Sequence, residues 1–206
     1  MMSNISPSDS SDDALFPATG MPDPDWWHAL WSDPAGVLRK IGIRPAMDVI
    51  DLCCGDGYFT APLCTLVGDG SVLGVDMDEK LLGAATVACA GCENFTPILA
   101  DARDLDEMIP APVDYVLIAN TFHGVPDKTG LARVVYQVLR PGGRFAVVNW
   151  YSRPREETTV LGRARGPATK LRMAPREVAS LVEPAGFRQV GVIDLEPYHY
   201  GLVFER

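Results

Sequence analysis

Four short stretches carry residues whose types and spacing suit recognition of a nucleoside. Val49-Ile50-Asp51-Leu52-Cys53-Cys54-Gly55-Asp56-Gly57 runs an apolar strand into a turn of small residues that opens a helix. Gly55 and Gly57 let the backbone approach a ligand, and amides at a helix start face whatever sits there. The stretch Gly74-Val75-Asp76-Met77-Asp78 follows. A carboxylate ending a second strand, about twenty residues after a glycine turn, can take both hydroxyls of a ribose. Asp76 is assigned that part and Asp78 the cap of the next helix. Leu99-Ala100-Asp101-Ala102-Arg103-Asp104-Leu105 sets Asp101 to accept from an adenine amino group, or to serve as a turn residue. Asp114-Tyr115-Val116-Leu117-Ile118-Ala119-Asn120-Thr121-Phe122-His123 brings polar groups to the end of a central strand, where ligands of open α/β sheets lie.

The elements that must position these residues follow from periodicity. Trp26, Trp27, Leu30 and Trp31 recur at helical spacing. Asp33-Pro34 reads as an N-cap and first-turn proline, opening a helix through Val37, Leu38 and Ile41 to about Gly42. Alternation begins there. Strands are predicted over 47–52, 71–76, 95–99, 113–119 and 144–150, with helices over 58–67, 78–90 and 128–139. Such alternation implies parallel strands joined by right-handed crossovers. The end differs: a helix over 175–185 closes at Gly186, and strands over 189–195 and 198–204 are separated only by Glu196-Pro197. That spacing predicts an antiparallel hairpin.

Composition narrows the partners. Hydrophobic residues are 47% and charged residues 22% of the 206, which excludes disorder as the default. No apolar run approaches the ~20 residues of a membrane span. A secretory signal is not read in the first residues, and five scattered cysteines suit reduced thiols, so a cytoplasmic setting is expected. The formal charge of −9 argues against nucleic acid as the main partner. Residues 1–22, rich in Ser, Asp and Pro, are expected to form a disordered acidic tail ahead of one domain over 23–206. Between Tyr151 and Met173, Arg153, Arg155, Arg163, Arg165, Lys170 and Arg172 outnumber Glu156 and Glu157. That basic segment follows a strand end, so it is expected to be a solvated loop or a lid over the ligand edge. Cys89 and Cys92 have C-x-x-C spacing without a second pair or suitably placed His, so no metal site is expected.

From Trp26 onward the chain resembles class I methyltransferases that use S-adenosylmethionine, within the bacterial branch related to ubiquinone and menaquinone C-methyltransferases. The likeness is carried by the Asp33-Pro34 helix, the glycine turn, the Asn120 to Asp127 segment, Leu139-Arg140-Pro141-Gly142-Gly143 and the closing hairpin. It implies a Rossmann-like α/β fold: a doubly wound seven-stranded sheet, mostly parallel, with an antiparallel C-terminal hairpin. By position, Asp51, Gly55 and Gly57 flank the methionine part of S-adenosylmethionine, Asp76 the ribose, and Asp101 with Ala102 the adenine. Cys53, Met77 and Asn120 complete the cofactor-binding set. Cys53 stands where the family has the first glycine of its turn. With φ < 0 a small residue is tolerated there, and that is the expectation; φ > 0 costs on the order of 1 kcal/mol.

The chemistry expected is in-line methyl transfer to a small-molecule acceptor, with Tyr58, Phe122, Trp150 and an amino-terminal tryptophan among the walls around the sulfonium. His123 is the first choice as proton acceptor, whereas His28 and His199 read as packed or solvent-facing. Three other readings stand beside it. A nicotinamide oxidoreductase is disfavoured because Thr60 holds the third-glycine position of its fingerprint. A non-catalytic protein binding S-adenosylmethionine or S-adenosylhomocysteine, and a thiol or metalloid methyltransferase suggested by the cysteines, remain open at this level. Oligomeric state is not legible.

Overall fold

A computed structural model describes residues 24–206, so the tail expected over 1–22 lies outside the described residues. Two short helices come first, α1 (Pro24–Leu30) and α2 (Pro34–Lys40). Asp33 caps α2 by accepting from the Gly36 amide at 2.8 Å, with Pro34 in the first turn. Then follow β1 (Val49–Leu52), α3 (Thr60–Val67), β2 (Val72–Asp76), α4 (Glu79–Ala88), β3 (Phe95–Leu99), α5 (Leu105–Met108), β4 (Val113–Ala119), α6 (Lys128–Val138) and β5 (Leu139–Trp150). The chain continues through β6 (Thr159–Val160), β7 (Arg163–Ala164), α7 (Pro175–Val182), β8 (Arg188–Leu195) and β9 (His199–Glu205).

Seven strands form one sheet in the order β3-β2-β1-β4-β5-β9-β8. The first five are parallel, and β9 runs antiparallel to both β5 and β8. The strand order reverses between β1 and β4, so a crevice opens there at the carboxyl ends. The central strands are apolar on both sides because each face is covered. Ile50, Val116, Ile118, Phe145 and Val147 enter one core with α5, α6 and α7. Val49, Tyr115, Leu117, Ala146 and Val148 enter the other with α1, α2 and α3. The Tyr115 hydroxyl donates to the Ile41 carbonyl at 2.6 Å and fixes the end of α2 against the sheet. Among the described residues no helix is long and apolar enough to cross a membrane.

β5 and the basic segment differ most from the sequence reading. β5 was expected to start at Arg144 but starts at Leu139, because Leu139 pairs with Val113 before the register shifts and Arg144 pairs with Tyr115. Pro141-Gly142-Gly143 therefore lies within the strand, where the Gly142 amide donates to the Arg206 carbonyl and the Arg206 amide to Gly143. The basic segment contains a small antiparallel pair, β6 with β7, too short to show a period in the sequence.

Gly70 joins α3 to β2, and a Cβ there would lie 2.0 Å from the Met47 carbonyl oxygen. Gly83, inside α4, has open space at the same position. Gly70→Ala is therefore expected to cost about 1–3 kcal/mol through forced backbone movement. Gly83→Ala should instead stabilise by about 0.5–1 kcal/mol through helix propensity. Urea unfolding midpoints of the two variants, moving in opposite directions, are the check.

Candidate active site

The turn after β1 is held by a carboxylate from β2. Asp76 Oδ2 accepts the Gly55 amide at 2.8 Å, and its Oδ1 accepts the Asp78 amide at 2.9 Å. The Cys54 amide donates to the Val75 carbonyl at 3.0 Å, pinning the same turn. Gly57, at φ +88, lies so close to α4 that a Cβ would meet Ala85 Cα at 2.9 Å. Its role is close packing, and it does not line the cavity described below. Cys53 corrects the sequence expectation: its φ is +59, in the left-handed region. The backbone strain of a side chain there is about 1–2 kcal/mol.

Asp51 is 3% exposed, and the Thr60 hydroxyl donates to its Oδ2 at 2.7 Å. Burial, reinforced by the charge of Asp76, pushes its pKa up to about 7 against the lowering effect of Thr60. Thr60 thus has a partner at the position where a dinucleotide fingerprint has its third glycine. Burial likewise pushes the Cys53 and Cys54 thiols up, with the nearby aspartates adding to it. Neither is a thiolate at neutral pH.

Asp101 follows β3 and is tied to Arg103. Its Oδ1 accepts the Arg103 amide at 2.8 Å, while the guanidinium bonds both carboxylate oxygens at 2.8–3.1 Å. These bonds hold its pKa below the usual carboxylate range. Arg103 was quoted in the sequence motif without a role. Ala102 is buried beside it.

At the end of β4, Asn120 has φ +59, and both its side-chain polar atoms are buried without partners among the described residues. His123 is buried in the turn that follows. Its Nδ1 lies 3.2 Å from Asn149 Oδ1 on β5, an oxygen that also accepts the Trp150 amide at 3.0 Å. Because a backbone N–H fixes that atom as the amide oxygen, the neutral imidazole donates from Nδ1. Nε2 then carries the lone pair, and it is buried with no protein partner. Burial lowers the His123 pKa against the Asn149 bond, and the charges of Lys128 and Arg172 lower it further.

One cavity of about 410 Å³ joins these groups. Asp51, Cys53, Gly55, Asp76, Met77, Asp101, Ala102, Asn120 and His123 all line it. Trp26, Trp27, Tyr58 and Trp150 supply aromatic walls. Phe122, expected among those walls, instead lies fully buried in the core, its ring 6.4 Å from Phe145. The basic segment covers one side through Arg155, Arg165, Gly166, Pro167 and Leu171, whereas Arg163 is exposed away from it. Sequence reading did not single out Phe59, Leu81, Ala100 or Leu171, which also line the cavity and carry no chemical signature. His28 is exposed beside Tyr58, and His199 is packed between Trp31 and Trp150. Cys89 and Cys92 pack with Cys64 in the core and do not line the cavity.

Residues 49–143 match a family model described as a methyltransferase domain. A demethylmenaquinone methyltransferase of Staphylococcus aureus is 33% identical over 117 residues, 56% of this chain and 47% of that protein. The chain thus spans about half the length of the curated relatives it matches. A solved structure of a SAM dependent methyltransferase from Aquifex aeolicus superposes with a TM-score of 0.74 at 25% identity, covering 89% and 93% of the two chains. Fibrillarin of Aeropyrum pernix, solved with natively bound S-adenosyl-L-methionine, shares the fold at a TM-score of 0.64 and 17% identity, over 86% and 76%. The chain is thus similar, over its central 49–143 stretch in sequence and over most of its length in fold, to S-adenosylmethionine-dependent methyltransferases.

The raised pKa of Asp51 has a stability consequence of definite sign. In the folded state the carboxyl resists ionisation up to about pH 7, against 3.8 as its ordinary value. Stability from this group is complete below 3.8 and is lost as pH rises through about 7. Asp51→Asn, which keeps an acceptor for Thr60, should therefore raise Tm more at pH 8 than at pH 5. Scanning calorimetry at the two pH values decides it, and an equal or reversed difference counts against a buried, reluctant carboxylate.

Proposed function

We propose that the protein transfers a methyl group from S-adenosylmethionine to a small-molecule acceptor held in this cavity. The observation that carries the reading is the pairing, in one cavity, of the Asp76-braced turn with an imidazole whose lone-pair nitrogen is left without a protein partner. The residues present fit the donor: the buried amide of Asn120 has both polar atoms free to serve a polar ligand. A carboxylate also has about four lone-pair sites, so Asp76 can hold two backbone amides and still accept from ribose hydroxyls.

Asp51 is assigned to the ammonium of the methionine part, with Cys53 and Gly55 along its path. Asp76 takes the ribose, Met77 flanks it, and Asp101 with Ala102 faces the adenine. When bound, S-adenosylmethionine supplies a methyl group on a positively charged sulfur, which an acceptor atom displaces in line. The rings of Tyr58 and Trp150 favour that positive charge. The segment over the cavity excludes water. His123 Nε2 takes the proton of the acceptor atom, a role that needs the neutral ring, and its lowered pKa keeps the ring neutral at pH 7. Asn149 acts through His123 by holding the tautomer. Five free thiols suit a reducing, cytoplasmic setting.

Asp76→Ala should weaken S-adenosylhomocysteine binding by about 1.5–3 kcal/mol, the worth of hydrogen bonds to a charged partner. Calorimetric titration measures it, and unchanged affinity removes Asp76 from the site. His123→Ala should leave that affinity alone and lower turnover by roughly 10²–10⁴-fold. Its rate–pH profile in the parent protein should rise through a pKa below 6.5, the ordinary histidine value, and be flat above it.

A further inference from the structure

The cavity is electrically lopsided. Asp51, Asp76 and Asp101 line the end formed by β1 to β3, while Arg155 and Arg165 line the opposite end. Beneath that basic end lies Arg172, only 5% exposed, with its guanidinium carbon 4.9 Å from the centroid of the Trp150 ring that lines the cavity. Arg172 is held by neutral acceptors alone. Its Nε donates to the Pro167 carbonyl at 3.2 Å, and its Nη2 to Thr158 Oγ1 at 2.8 Å and the Arg165 carbonyl at 3.0 Å. Nη1 is buried with no partner. The ion pairs among the described residues involve neither Arg155 nor Arg172. Arg155 is an exposed residue that lines the cavity, and its Nε donates to the Gly166 carbonyl at 2.9 Å.

A buried cation whose hydrogen bonds go only to neutral acceptors is costly; Glu156 offsets part of that cost from nearby, and an anion bound at this end would add to the offset. The cationic donor belongs at the acidic end by the same complementarity, which leaves the basic end to the acceptor. Three tryptophan rings also line the cavity, those of Trp26, Trp27 and Trp150, with Arg165 over the first and Arg172 over the last. We infer that the methyl acceptor is an aromatic acid: its ring lies against these tryptophans and its carboxylate faces Arg155, within the field of Arg172. The inference rests on the methyl-transfer reading for the word acceptor, and on the charge and shape of the cavity for the word acid. Guanidinium groups suit a carboxylate because their paired N–H donors match its two oxygens.

The test uses benzoate and benzamide, which have the same shape and differ in charge. Each is titrated into the full-length protein, with and without saturating S-adenosylhomocysteine, and binding is read by tryptophan fluorescence and calorimetry. Benzoate should bind about tenfold or more tightly than benzamide, the ratio expected of one charge-assisted contact. Arg155→Gln should abolish most of that preference without changing S-adenosylhomocysteine affinity, and Arg155→Lys should retain part of it. Equal binding of the two probes, no binding of either, or a preference that survives in Arg155→Gln overturns the inference. A protein that selects benzoate but fails to bind S-adenosylhomocysteine keeps the acid site and sinks the methyl-transfer reading instead.

Discussion

The cradle depends on one carboxylate. Asp76 stands at the last position of β2 and takes amides from two directions, Gly55 ahead of α3 and Asp78 at the cap of α4. Two helix starts are thereby locked to one strand end, and the strained backbone at Cys53 is held between them. Strain of that kind persists only where its surroundings over-determine it. Here the brace is anionic and its partners are backbone, so the turn keeps its shape whatever side chains it carries.

Much of the fold was legible because the central strands are covered on both faces. Their apolar runs stand out from the helical periods between them, and Glu196-Pro197 is too short a link for anything but a hairpin. The start of β5 was not legible, since a Pro-Gly-Gly run reads as a break unless one knows that Arg206 pairs beside it. Asp51, Asp76, Asp101, Asn120 and His123, singled out by their positions at or near strand ends, all line one cavity. Strand-end position failed for Phe122, whose side chain turns into the core one residue before His123. It also gave no hint of Asn149, which reaches His123 across two neighbouring strands at a separation of 26 residues. Arg172 looked like one more surface charge in a basic run, and only its packing under Trp150 sets it apart.

Several ionisable groups are buried around the cavity, and each is held in the form its surroundings favour. Burial keeps Asp51 from ionising easily, keeps His123 and His199 neutral, and keeps the Cys53 and Cys54 thiols protonated. Such an interior costs stability relative to an apolar one and concentrates that cost where ligands come and go. The aromatic ring system beside it, from Trp27 through Trp31 and His199 to Trp150, provides compensating packing.

The position of β9 governs the order in which the sheet can be finished. Residues 199–205 lie inside the sheet, between β5 and β8, although they follow every other strand along the chain. Until they arrive, β5 presents seven positions, Arg144 to Trp150, with one hydrogen-bonding edge open. Most of that stretch is apolar, and an open apolar edge is a template for pairing with another chain. A nascent chain therefore passes through a stage in which the ligand end of the sheet is assembled but its flank is unprotected. The exposure lasts through the interval between synthesis of β5 and of β9, which is where chaperone demand should concentrate.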